Sequence, residues 1–148
     1  MAKPGKIAGY RDLELWREAM RLVTGGYRLV KVFPDEERFG LCNQMRRAVV
    51  SIPANVAEGF GRSHTKDFLR HLYIARGSLM EVETYITVAE QLEYAPKPEL
   101  HSLWRDSQVV GRLLNGLIRS LEHRLQTIGP RSPITDHRSP ITAPRSQP

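Results

Sequence analysis

The stretch FLRHLYIARGSLMEVETYITVA, residues 68–89, decides the fold. Phe68, Leu72, Ala75, Leu79, Val82, Ile86 and Ala89 recur at alternating steps of four and three without a miss. On a helix that spacing stacks apolar side chains along one side, which is the pattern of bundle packing. Ser63 or Thr65 is expected to open this helix, with Asp67 in the first turn favoured by the helix dipole. The pattern ends near Tyr94, ahead of Pro96 and Pro98.

The same rhythm extends outward from this segment. Downstream, Pro98 to Ile128 carries Leu103, Val110, Leu114, Leu117 and Leu121 on one face, stopped by Gly129 and Pro130. Upstream, Glu37 to Glu58 carries Leu41, Met45, Ala48, Ile52 and Val56. Pro53 lies inside that segment and removes a backbone hydrogen bond, at a cost of about 3 kcal/mol in a straight helix. A kink is therefore expected near Ser51 to Pro53, and Gly59 and Gly61 are expected to stop the helix. The first segment, Asp12 to Phe33, shows Trp16, Met20, Val23, Tyr27 and Val30, with Asp12 as its cap and Pro34 as its end. Gly25 and Gly26 weaken it by about 1 kcal/mol each relative to alanine. Two readings of that pair stand open, close approach to a neighbour or a tolerated weak spot.

Four amphipathic helices, no strand pattern and short connections predict an all-α fold, an antiparallel up-and-down four-helix bundle with a kinked second helix. The bundle is expected over residues 11–128, after an N-terminal arm at 1–10. A Pro/Ser/Arg-rich tail follows at 129–148, expected to be disordered. Its phrase Arg-Ser-Pro-Ile-Thr occurs twice, at Arg131–Thr135 and Arg138–Thr142; solvated chain is the favoured reading over a partner-docking motif.

Composition narrows the function classes. The chain has 148 residues and a formal net charge of +6, with 22 Lys and Arg against 16 Asp and Glu. That balance permits polyanion binding, and arginine suits forked contacts with phosphate. Cys42 is the only cysteine, so there is no intrachain disulfide and no cysteine zinc site, which points to a reducing, cytoplasmic compartment. The first ten residues have no long apolar run and read as neither signal peptide nor membrane anchor.

The motifs of catalysis are missing. No histidine follows a glutamate by three residues, as inward-facing di-metal carboxylate sites of bundles require. There is no phosphate loop, no Gly-x-Ser-x-Gly elbow and no zinc spacing. His64 and His137 fall in loop and tail, while His71, His101 and His123 are expected at the surface or boundary. Cys42 is expected to be a small buried thiol. No catalytic residue, metal ligand or cofactor follows, and the chain is expected not to be an enzyme.

Charge placement says more. Arg105, Arg112 and Arg119 recur every seven residues and stand in a row nearly opposite the leucine face of the last helix. Arg17, Arg21 and Arg28 cluster on the first helix, and Arg62 and Lys66 flank the loop between the second and third. Together they are candidates for a nucleic-acid-binding surface; the competing reading is a solvated face laced with Glu14, Glu18 and Asp106. Arg47 is expected to pair with Glu81 or Glu83 across the second and third helices, to reach another subunit, or to stay exposed at the bundle edge. Leu13, Val109 and Leu113 lie off the main stripes as a second apolar surface.

Three motifs carry a family resemblance: Ser51 to Arg62 (SIPANVAEGFGR), Asp12 to Trp16 (DLELW) and Ala75 to Glu83 (ARGSLMEVE). In this order, over about Tyr10 to Leu125, the chain resembles the small four-helix bundle proteins encoded in intervening sequences of bacterial large-subunit ribosomal RNA genes. Pro53, Asn55, Glu58, Gly59 and Gly61 match that family's central motif, and their structural roles read as kink, polar satisfaction and helix stop. The resemblance implies a bacterial source and a homo-oligomeric ring, a pentamer. It also implies kinship with the accessory protein of diversity-generating retroelements, which engages reverse transcriptase and nucleic acid. It carries over no catalytic residue, and it says nothing of the tail.

The expected function is a non-catalytic basic oligomeric scaffold that binds RNA or DNA backbone within a ribonucleoprotein or retroelement-type complex. Its expected partners are copies of itself, RNA or DNA, and a reverse transcriptase or other protein, with no membrane. The alternative is a protein–protein interaction module with no nucleic-acid role.

Overall fold

The computed structural model describes residues 5–128. Helix α1 spans Glu14–Val30, α2 Leu41–Phe60, α3 Thr65–Gln91 and α4 Lys97–Ile128. The tail expected beyond residue 128 lies outside the described residues. Cross-helix partners set the directions. Ser51 meets Ser78 and Asn55 meets His71, while Glu83 meets Gln108 and Tyr73 meets Glu122. In each pair the number rises on one helix as it falls on the other, so neighbours are antiparallel. Each helix packs on its neighbours in sequence, and α1 closes the bundle against α4. This is the up-and-down arrangement that the four stripes predicted.

On α3 the predicted stripe is the core face. Leu72, Ala75, Leu79, Val82, Ile86 and Ala89 are buried and Phe68 packs half-buried against them. On α2, Met45, Ala48, Ile52 and Val56 are buried as expected, with Leu41 half-buried. On α4, Leu103, Val110, Leu114 and Leu121 are buried, but Ile118 takes the core position expected of Leu117, which packs beside it.

The stripe of α1 differs from expectation by one residue. Leu15, Ala19, Leu22, Gly26 and Leu29 face the core, while Met20 and Tyr27 are 39% and 41% exposed. Trp16 and Val23 are half-buried at the edge, and Val30 is buried as expected. Both series step by four and three, and the structure chooses the one with the smaller residues because α1 lies close to its neighbours. A Cβ on Gly25 would come 2.9 Å from Leu103 Cδ1, and one on Gly26 would come 3.0 Å from Val49 Cγ1. The glycine pair is therefore a close approach to α4 and α2. Leu13 and Leu113 pack half-buried against the core, and Val109 is half-buried as well.

Helix ends correct two further expectations. Asp12 does not cap α1; the cap position is Leu13, without a side-chain bond. Asp12 Oδ2 instead accepts the Ala8 and Gly9 amides at 2.8 and 3.2 Å, which holds its carboxyl below the ordinary range and ties down the turn Tyr10–Asp12. Helix α3 opens at Thr65 as expected, with His64 in the cap position and no side-chain bond there. Gly59 does not stop α2, which runs on to Phe60. A Cβ there would stand 2.7 Å from His71 Cβ and 2.9 Å from Phe68 Cδ1, so Gly59 lets α3 cross. Gly61 does take the end of α2, at a right-handed φ of −78° open to any residue. Pro53 is buried inside α2, which continues through it as one helix.

One clamp joins the two loops at the same end of the bundle. Glu37, between α1 and α2, accepts the Leu41 amide at 3.0 Å and the Tyr94 hydroxyl at 2.7 Å. Tyr94 follows α3, and its ring packs on Phe33 at 5.7 Å between centroids. The Leu41 amide and the Tyr94 hydroxyl hold the Glu37 carboxyl below its ordinary 4.5.

Two measurements check this packing. Gly59→Ala should destabilise by roughly 1–3 kcal/mol in denaturant titration, as overpacking does. Gly77→Ala should raise stability by about 0.5–1 kcal/mol, since residue 77 is exposed mid-helix with open space around it. For the clamp, a depressed folded pKa means stabilisation that is complete above pH 4.5 and lost as pH falls through the lower folded value. The melting temperature of the parent should therefore fall more steeply than that of Glu37→Gln on acidification below pH 4.5.

Candidate nucleic-acid interface

The bundle sorts its arginines by how much charge they leave uncompensated. Arg105, Arg112 and Arg119 are all exposed on α4, and none forms an ion pair among the described residues. A step of seven residues rises about 10.5 Å, so the three guanidinium groups follow a ridge. On α1 the picture differs. Arg17 donates to the Arg11 carbonyl at 3.2 Å, and Arg21 lies 3.5 Å from Glu18. Arg21 and Arg28 line a groove of about 380 Å³ between α1 and α4 whose other wall carries Glu99 and Asp106. Arg62 is held by Glu58 at 2.8 Å. Lys66 is exposed in the first turn of α3. The structure does not gather these candidates into one surface; the α4 row is a line of exposed arginines, of which Arg112 also lines a groove shared with Glu83 of α3.

A second feature lies between α2 and α3. Ser51, Asn55, Glu58 and Arg62 step by four, three and four, which sets a polar stripe beside the apolar one. Ser51 Oγ is 2.8 Å from Ser78 Oγ. Asn55 Nδ2 donates to the Ser51 carbonyl at 2.9 Å and to Ser51 Oγ at 3.1 Å. That leaves Asn55 Oδ1 to accept from His71 Nδ1 at 3.1 Å, which assigns the ring proton to Nδ1. Glu58 Oε2 is 3.9 Å from the same nitrogen, beyond hydrogen-bond reach. His71, expected at the surface or boundary, is 6% exposed, because Gly59 lets it sink against α2. His101 and His123 are exposed as expected, with His101 Nε2 3.0 Å from Glu90.

Arg47 pairs with neither glutamate expected for it. Glu83 turns to α4 and accepts from Gln108 Nε2 at 3.2 Å, while Glu81 accepts from Tyr85 at 3.3 Å. Cys42 is the buried thiol expected; its Sγ donates to the Val30 carbonyl at 3.5 Å, and burial pushes its pKa up. Among the described residues no cluster of His, Cys, Asp and Glu could hold a metal, and no helix is long and apolar enough to cross a membrane. Sequence reasoning missed the Ser78–Ser51–Asn55–His71 chain and the Glu37–Tyr94 clamp. Only the first had a signal, namely polar residues at heptad spacing on α2 and His71 and Ser78 seven apart on α3.

Comparison with known proteins follows the same outline. Residues 11–116 match the family model described as 23S rRNA-intervening sequence protein. A similar solved structure is that of a protein with unknown function from the S23 ribosomal protein family of Bacteroides thetaiotaomicron. It is 24% identical with a TM-score of 0.66, covering 71% of this chain and 95% of that chain, and the likeness is one of fold. No match was found among curated proteins.

The polar chain and the surface pair should respond differently to truncation. Asn55→Ala leaves Ser51 and His71 without their shared partner and should cost roughly 1–3 kcal/mol in denaturant melts. Arg62→Gln removes only an exposed ion pair and should cost about 0–1 kcal/mol. Equal losses would mean that the α2–α3 chain is no more constrained than the surface.

Proposed function

The chain belongs to the 23S rRNA-intervening sequence protein family, and from that premise we propose that it is a non-catalytic basic scaffold that holds nucleic-acid backbone. The observation that carries this reading is the α4 ridge. Arg105, Arg112 and Arg119 are exposed without carboxylate partners among the described residues, on a chain of net charge +6. A ridge of guanidinium groups meets phosphates without reaching base edges, so it positions a strand and reads little sequence. The proposal includes self-association into a ring, as the family resemblance implies. A ring would repeat the ridge once per subunit and add avidity. A reverse transcriptase or another protein of the same complex would then share the scaffold.

The competing reading is a protein-interaction module, and one observation favours it: Phe39 is 85% exposed at an end of the bundle. The two separate by salt dependence. Each phosphate neutralised contributes about −0.9 to the slope of log affinity against log salt on duplex DNA, and about −0.7 on single strands. Replacing Arg105, Arg112 and Arg119 together by glutamine should weaken binding across sequences and flatten that slope. The triple variant should melt like the parent because the row faces away from the core. A mobility shift unchanged in strength and slope would reduce the row to a solvated face. Failure of the parent to bind structured RNA or duplex DNA at about 50 mM salt would put the protein-interaction reading first.

A further inference from the structure

A groove of about 530 Å³ runs between α2 and α3, apart from the α4 row. Ser51 and Ser78 line it, Arg47 and Glu81 stand on opposite helices, and the exposed Phe39 ring belongs to the same lining. A smaller groove of about 380 Å³ adjoins it, sharing Asn43, Arg47 and Ser51 and adding Arg46 and Tyr27.

The hydroxyl pair shows what this groove lacks. Ser78 is only 7% exposed. The two serines own two hydroxyl hydrogens, and the 2.8 Å contact between them uses one. The Asn55 amide donates into Ser51 Oγ, so it accepts neither. Whichever serine donates to the other, one hydroxyl hydrogen has no acceptor among the described residues. Arg47 likewise has no carboxylate partner there, and the side-chain amides of Asn43 and Gln44 make no hydrogen bond. Arg47, Asn43 and Gln44 stand exposed at the rim, so their donors face solvent where an anionic or carbonyl-rich group can replace water. Glu81 asks for the reverse, since its one partner is the Tyr85 hydroxyl at 3.3 Å and it has acceptor capacity left.

One ligand class satisfies both demands. A phosphate suits the Arg47 guanidinium and a serine hydroxyl. A base with an exocyclic amino group suits Glu81, since acids accept from such groups and side-chain amides pair with base edges. An exposed phenyl ring offers a stacking platform that is open only to a base outside a duplex. We propose that the α2–α3 groove holds one nucleotide unit of a single strand, with its phosphate on Arg47 and the Ser51–Ser78 hydroxyls and an amino-bearing base against Phe39 and Glu81. This rests on the nucleic-acid reading above and names a substrate class for it: single-stranded nucleic acid, held at a groove distinct from the α4 ridge.

The test uses the full chain and fluorescence anisotropy with labelled oligocytidylate and oligouridylate octamers, beside a matched duplex. Phe39→Ala and Arg47→Gln alter exposed side chains and should each weaken cytidylate octamer binding about tenfold while leaving duplex binding unchanged. Uridylate, which lacks the amino group, should bind more weakly than cytidylate, and Glu81→Gln should narrow that gap. Cytidine 5′-monophosphate should displace the octamer, showing that the unit itself is recognised, whereas the octamer binds more tightly because the strand is the ligand. Displacement by inorganic phosphate at the same concentration would reveal an anion site without base recognition and overturn the proposal. Unchanged octamer affinity in both Phe39→Ala and Arg47→Gln would also overturn it, even if the α4 triple variant loses all binding and the backbone reading stands. Loss confined to the groove variants, with the α4 triple variant unaffected, would uphold the groove and remove the ridge.

Discussion

Contact between α2 and α3 is set by the absence of one side chain. Residue 59 is glycine, and His71 Cβ and Phe68 occupy the space that a methyl group there would need. At that distance Asn55 reaches His71 and Ser51 reaches Ser78. The apolar stripes of the two helices repeat every seven residues and would pack almost as well if one helix slid by a heptad. The polar pairs would not, because a slide breaks both and can remake only one, Asn55 with Ser78 or Ser51 with His71, and an unmade buried hydrogen bond costs more than a made one contributes. The apolar stripe thus supplies most of the stabilisation, while the polar chain selects the register. Gly59 is what permits both.

Legibility in the sequence followed from how many phases the pattern allowed. On α3 one four-three series was apolar without interruption, so the face was unambiguous. On α1 two adjacent series were both apolar: Leu15, Ala19, Leu22, Gly26 and Leu29, and Trp16, Met20, Val23, Tyr27 and Val30. Side-chain size favours the second, but close packing favours the first, since a Cβ on Gly26 would stand 3.0 Å from Val49 Cγ1. Periodicity measures a helix's own asymmetry and carries no information about how near its neighbour stands. The same blindness explains Gly59, which reads as a terminator from its own helix and as a crossing point only from α3.

Charged side chains were harder still, because their partners lie on other elements. The nearest acid in sequence pattern is rarely the one reached. Glu83 binds Gln108 of α4, Glu37 binds Tyr94 beyond α3, and Arg47 is left over. Family motif positions split in the same way. Asn55 and Gly59 hold the α2–α3 contact, Pro53 fills the core, and Glu58 serves an exposed ion pair with Arg62. Of the candidate arginines only Arg21 and Arg62 reach an acid among the described residues, Glu18 and Glu58, each on its own helix.

This division has a consequence for how the surface can act. The residues that hold the bundle together lie on the apolar stripes and along the α2–α3 chain, whereas cations without a carboxylate partner among the described residues include Arg105, Arg112 and Arg119 on α4 and Arg47 on the rim of the α2–α3 groove. An exposed arginine contributes little to folding, and like charges in a row repel one another at low ionic strength. Seven-residue spacing keeps that repulsion small, because neighbours about 10.5 Å apart are near one Debye length at ordinary salt. A bare ridge is therefore inexpensive to keep folded and is available in full to an anionic partner. The groove differs, since one hydroxyl hydrogen of its Ser51–Ser78 pair has no acceptor among the described residues. Of the two surfaces, the groove is the one whose own structure lacks something that a ligand would supply.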